Sequence, residues 1–158
     1  MNRTIAVKAR LERLELELPP TPTPLANYLP ARRWSSQIIV SGQLPIKNQK
    51  LMATGRVGDD VSQDLAMECA QQCFLNALAA ATSLVRLEDL IGVIKISGFV
   101  SSASDFFDHA EVINGASNMA VSLFEESGKH ARAAVGVYNL PKNAPVEVEV
   151  IFGVKDRG

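Results

Sequence analysis

The residues best suited to chemistry lie between His130 and Phe152. There one arginine and two glutamates sit in two alternating, β-branched runs joined by a turn containing Leu140-Pro141. Runs of this kind on either side of a turn read as a pair of adjacent strands, and side chains alternate between faces along a strand. In the first run Ala133, Val135 and Val137 share one face, and Arg132, Ala134 and Gly136 the other. In the second, Val146, Val148, Val150 and Phe152 oppose Glu147, Glu149 and Ile151. The apolar faces are expected to build a core. The opposite face then presents one guanidinium and two carboxylates among residues with almost no side chain, a candidate anion pocket. A guanidinium fork suits a carboxylate because two parallel N–H···O bonds fix both position and orientation. The same pattern also permits an internal pair between Arg132 and Glu149, placed diagonally on one face.

Other reactive residue types carry less. Cys69 and Cys73 lie four apart on a helical stripe with no histidine nearby in sequence, so buried apolar thiols are expected and no metal. Gly55-Arg-Val-Gly-Asp-Asp60 matches neither a dinucleotide fingerprint nor a phosphate-binding loop with its lysine. Arg32-Arg33-Trp34 reads as the surface of an edge strand. His109 is expected on a helix surface, and His130 as a solvent-exposed strand cap that is neither ligand nor base.

Composition bounds the rest. The 158 residues are 47% hydrophobic and 21% charged with a net charge of −1, which fits one globular domain and argues against nucleic acid or anionic lipid as the main partner. The start has no long apolar run and no segment is long enough to span a bilayer. Two cysteines form no disulfide framework, so the expected compartment is the cytoplasm.

The positioning elements can be read in order. A short amphipathic helix is expected over residues 8–18, with Leu11, Leu14 and Leu18 inward, stopped by a Pro-rich connector over 19–24. This divides the single domain into an N-terminal part, 1–24, and a core, 25–158. A strand over 37–42 ends at Gly42, where something can approach the backbone closely. A second strand, reached through a turn at 45–48, is expected within 43–55. Asp60 or Ser62 caps a helix that runs to about Leu84, with Ala66, Cys69, Cys73, Ala77, Ala80 and Leu84 inward. A strand over 90–100 is apolar on both faces and therefore central. A helix over about 105–126, with Val112, Ala116, Met119 and Leu123 inward, ends at Gly128. Two helices on one face of a mixed sheet leave its other face bare, and association through that face would cover it.

Tyr28, Ser41-Gly42-Gln43-Leu44-Pro45, Asn114, Ala131-Arg132, Leu140-Pro141 and Val146-Glu147-Val148-Glu149, in this order and spacing, resemble the RidA/YjgF family, also labelled endoribonuclease L-PSP. The resemblance covers about 28–152 and implies an α+β, chorismate-mutase-like fold and a homotrimer with ligand pockets at its subunit interfaces. It also implies cofactor-free hydrolysis of 2-imino acids or their enamines to 2-keto acids and ammonia. In that pattern Arg132 binds the substrate carboxylate and Glu147 sits by the reacting water. Tyr28, Gly42, Asn114 and Ala134 match further substrate-binding positions, although the family commonly carries cysteine at the last and proline at His130. The resemblance leaves three activities to separate: the deaminase, a non-catalytic or regulatory binder of small carboxylates, and the ribonuclease of the older label.

Overall fold

A computed structural model describes residues 3–23 and 27–156. The expected boundary between 24 and 25 lies outside the described residues. Helix α1 (Arg3–Arg13) is followed by β1 (Ala31–Trp34), β2 (Gln37–Gln43), the short arms β3 (Ile46–Lys47) and β4 (Lys50–Leu51), and α2 (Gln63–Ala81). Then come β5 (Leu90–Ser101), α3 (His109–Phe124), β6 (Ala131–Val137) and β7 (Val146–Val154).

Five strands form one sheet in the order β1-β2-β7-β5-β6, and β3 and β4 pair separately. All neighbours in the large sheet are antiparallel except β5 and β6, which run parallel with α3 as their crossover. Ile38, Ile96, Val100, Val146, Val148, Val150 and Phe152 are fully buried on the face the helices cover. Phe152 contacts both covering helices, its ring centroid lying 5.8 Å from that of Phe74 on α2 and 6.1 Å from that of Phe124 on α3. This is the expected α+β layering of a mixed sheet under two helices.

The expected hairpin of β6 and β7 does not form, because β5 lies between them. Arg132 is aligned with Ile96 of β5, and Glu149 with the neighbouring Ser97 on the other edge of the same strand. An Arg132–Glu149 pair is therefore excluded. The faces of β6 are also reversed from expectation. Ala134 packs against the core and a Cβ on Gly136 would come within 2.5 Å of His109 on α3, so Arg132, Ala134 and Gly136 face the helices. Val135 lies on the open side, 44% exposed. Ile39 and Trp34 are exposed on β2 and the edge strand β1, where the Arg32 guanidinium lies 5.5 Å over the Trp34 ring.

The helices keep their expected faces but shift their ends. Ser62 caps α2, its hydroxyl accepting the Leu65 N–H. At the other end the Thr82 and Ser83 hydroxyls donate to the carbonyls of Ala79 and Ala80. Those bonds close the helix before Leu84, which is exposed rather than inward. In α3, Val112, Ala116, Met119 and Leu123 are buried as expected. Helix α1 occupies 3–13 rather than 8–18. Leu16 N–H reaches the Leu11 carbonyl and Glu15 N–H the Glu12 carbonyl, with Glu15 at φ 53°, a left-handed C-terminal cap that ordinarily takes glycine. Among its described side chains Val7 and Leu11 are buried, and Leu14, beyond the helix end, is exposed. Arg10 ties the helix down by donating to the Leu123 carbonyl (2.7 Å) and pairing with Glu125 (2.7 Å).

The strand expected within 43–55 is instead the small hairpin of β3 and β4. Asn48 and Gln49, both at positive φ (51° and 66°), make the two-residue turn. The buried Asn76 amide holds it by donating to Leu44 and Ile46 carbonyls. Among the described residues no helix is long and apolar enough to cross a membrane. Phe152 joins the two helices to the sheet, so Phe152→Ala is expected to lower unfolding free energy by about 3–5 kcal/mol. Denaturant titration checks this, and a loss below about 1 kcal/mol would contradict the packing described.

Candidate functional site: two half-sites on opposite faces of the sheet

The site residues divide into two groups. The first lies where the edge strand β6 meets α3. The β6 backbone turns the exposed Arg132 toward the helix, where its Nη1 donates to Asn114 Oδ1 at 2.7 Å and Ser117 Oγ at 3.2 Å. Asn114 and Ser117 are three apart on α3 and so share a face. Asn114 Nδ2 donates in turn to Glu111 at 3.2 Å, which fixes the amide with its oxygen toward the guanidinium. Nη1 thus uses both of its hydrogens. Nε and Nη2, the parallel edge that suits a carboxylate, have no partner among the described residues. Ala134, two residues along and half-buried, offers only a methyl group.

The second group lies on the open face. Glu147 of β7 is aligned with Phe99 of β5, and its carboxylate lies over Gly42. A Cβ at position 42 would come within 2.2 Å of Glu147 Oε1, so glycine there admits the carboxylate. Register between β2 and β7 shifts between Val40 and Gln43, a bulge that re-aims this stretch. Ser41 then anchors the loop carrying Tyr28, with its N–H on the Pro30 carbonyl (2.9 Å) and its hydroxyl on the Leu29 carbonyl (2.6 Å). Tyr28, Arg32, Ser41, Lys95 and Glu149 line a depression of about 550 Å³ on this face. A hollow of about 360 Å³ between α2 and α3 contains none of the expected site residues. Burial first, and the neighbouring Glu149 second, raise the Glu147 pKa above its ordinary value of 4.5.

The structure thus gathers Arg132, Asn114 and Ala134 on one side. On the other, Gly42 lies against Glu147, while Tyr28 lines the depression that Glu149, and neither Gly42 nor Glu147, borders. Within one protomer the two groups are not brought together. Ser117 was not singled out from the sequence; its position three residues after Asn114 on one helical stripe is the signal that finds it. His130 is half-buried rather than a solvent-exposed cap, and bonds to Ser117 Oγ at 2.9 Å and the Gly128 carbonyl at 2.6 Å. His109, expected at the surface, is half-buried against Phe106 and bonds to Ser102 Oγ at 2.9 Å. Cys69 and Cys73 are buried in α2, and burial raises both thiols, Cys69 to about 11. They are packing residues with little thiolate character.

The family described as Endoribonuclease L-PSP matches residues 19–154. The chain belongs to that family, RidA/YjgF. Protein TCP17 of Trypanosoma cruzi is 37% identical over 147 residues, covering 92% of each chain. A 2-iminobutanoate/2-iminopropanoate deaminase of Dermatophagoides farinae is 31% identical, covering 89% of this chain and 95% of its own. The crystal structure of Atu1372 from Agrobacterium tumefaciens, a protein of unknown function, superposes with a TM-score of 0.89 at 38% identity, covering 97% of this chain and 95% of that one.

A carboxyl whose pKa is raised on folding favours its protonated form in the folded state. Ionised Glu147 therefore lowers stability as pH rises through 4.5 and the raised value, and has no such effect well below 4.5, where folded and unfolded chains are both protonated. Glu147→Gln is expected to raise Tm at neutral pH, with the gain fading as pH falls below 4.5. Thermal melts across pH check this; a gain that is independent of pH would contradict it.

Proposed function

We propose that the RidA/YjgF-family protein hydrolyses 2-imino acids, and enamines that tautomerise to them, to 2-keto acids and ammonia. The observation that carries this reading is the Arg132 guanidinium, held at Nη1 by Asn114 and Ser117 with the Nε/Nη2 edge left for a ligand. The similarity to the D. farinae deaminase supports the substrate class.

Arg132 and Glu147 project from opposite faces of the sheet, so the reading requires association. In this proposal the β6 edge of one copy meets the open face of another within a chorismate-mutase-like homotrimer. A carboxylate on Arg132 then lies near Tyr28, Gly42 and Glu147 of the neighbouring copy. Covering the open face also removes Ile39 and Val135 from water.

The chemistry needs little more than placement. The imine carbon is already electrophilic, so a held substrate and a placed water supply much of the effect. Glu147 takes a proton from the water as its oxygen bonds to that carbon and the C=N electron pair moves to nitrogen. Glu147 then returns the proton to nitrogen, giving an amine and a hydroxyl on the same carbon. In the second half it takes the hydroxyl proton as the carbonyl forms and the C–N bond breaks, and passes that proton to the departing nitrogen, which leaves as ammonia. A carboxyl with a raised pKa is better matched to this exchange than an ordinary glutamate. In this reading the protein uses no cofactor and works in the cytoplasm, in keeping with two unpaired buried thiols. A ribonuclease reading finds no support in a net charge of −1.

Supplying 2-iminopropanoate or 2-iminobutanoate from an amino-acid oxidase and following keto-acid release tests the reading. The protein is expected to accelerate release, with Arg132→Ala lowering kcat/KM by about 100-fold or more. Glu147→Gln is expected to lose turnover while retaining 2-ketobutyrate binding. No acceleration with either imine would overturn the deaminase. Arg132-dependent binding without turnover would identify a carboxylate-binding protein.

A further inference from the structure

We propose that His130 is a positioning residue that sets the Arg132 guanidinium for carboxylate binding through Ser117; this rests on the carboxylate-binding reading of Arg132. A line of hydrogen bonds runs from the Gly128 carbonyl to His130 Nδ1 (2.6 Å), from His130 Nε2 to Ser117 Oγ (2.9 Å), and from Ser117 Oγ to Arg132 Nη1 (3.2 Å). The direction of each bond follows from its fixed end. A carbonyl oxygen only accepts, so Nδ1 carries the hydrogen of the neutral ring and Nε2 is left as the acceptor. The Ser117 hydroxyl donates to Nε2, which turns its oxygen lone pairs toward Arg132.

Gly128 gives this line a fixed base. It is buried, and a Cβ there would stand 2.2 Å from the Ala120 carbonyl. The turn after α3 is therefore pressed against the helix that also carries Asn114 and Ser117. Both partners of Nη1 are thus held from one body, Asn114 by Glu111 and Ser117 by His130. Without His130 the Ser117 hydroxyl can rotate and direct its own hydrogen at the guanidinium, which weakens the hold on that edge. The imidazole acts through Ser117 and touches no reacting atom.

The test uses the full-length protein and 2-ketobutyrate as the probe, with binding by calorimetry and turnover by keto-acid release. His130→Phe keeps a ring and removes both nitrogens. It is expected to weaken 2-ketobutyrate binding and raise KM by about 3- to 10-fold with kcat nearly unchanged. Ser117→Ala is expected to do the same, and the double variant to be no worse than either single one. His130→Gln, whose amide oxygen can accept from Ser117, is expected to recover most of the loss. In the wild-type protein, 15N spectra of the neutral ring are expected to show the Nδ1–H tautomer, a readout independent of any variant's folding. The Nε2–H tautomer, additive losses, or unchanged binding in both single variants while Arg132→Ala abolishes it would overturn the role of His130 alone. Binding that survives Arg132→Ala would overturn the carboxylate site itself, and the role of His130 with it.

Discussion

β5, hydrogen-bonded to β6 along one edge and β7 along the other, holds those two strands apart and determines which way each presents its charged residues. Its pairing with β7 is antiparallel and that with β6 parallel, so the chain must cross over through α3 between β5 and β6. The crossover lays α3 against the edge strand β6 and turns Arg132 toward Asn114 and Ser117. Across β5, the buried alternation of β7 commits Val146, Val148, Val150 and Phe152 to the helices and leaves Glu147 and Glu149 on the open face. The separation of guanidinium and carboxylate is thus a consequence of strand order.

Each half-site is shaped by a neighbour as much as by its own charged residue. Arg132 is exposed, yet its Nη1 is committed to two side chains of one helix, which leaves a defined edge rather than a freely rotating cation. Glu147 fits only because Gly42 has no side chain, and the bulge in β2 brings that glycine beneath it. Partial burial disfavours ionisation of Glu147. Further covering by a second copy would strengthen that effect unless the copy brought a positive charge toward it.

Much of the layering was legible in local patterns. The β7 alternation and the small inward residues of α2 from Ala66 to Ala80 matched their buried faces. The close approach at Gly42 was also legible, although its occupant, Glu147, was not. Features set by non-local pairing were hidden. Two β-branched runs about a turn read as a hairpin, whereas β7 pairs with β2 and β5. The reversed face of β6 has a different cause: Val135 and Val137 are its larger apolar residues, yet the small Ala134 and Gly136 are the ones that lie toward the core and α3. Ends of helices were misplaced where the stop came from an unusual residue, as with Glu15 in the left-handed region, or from hydroxyl back-bonding at Thr82 and Ser83. The line from Gly128 through His130 and Ser117 to Arg132 joins the stretch 128–132 to α3 in space, and no spacing rule in the sequence announces it.

The proposal that two copies share each site can be tested by subunit mixing. Arg132→Ala and Glu147→Gln proteins, each deficient alone, would be denatured together and refolded as one population before keto-acid release is measured. With random assortment, about a quarter of the interfaces in a cyclic assembly join an intact Arg132 to an intact Glu147. Imine hydrolysis is expected to return to about that fraction of the wild-type rate. A mixture no more active than the two variants measured separately would contradict a site shared between copies.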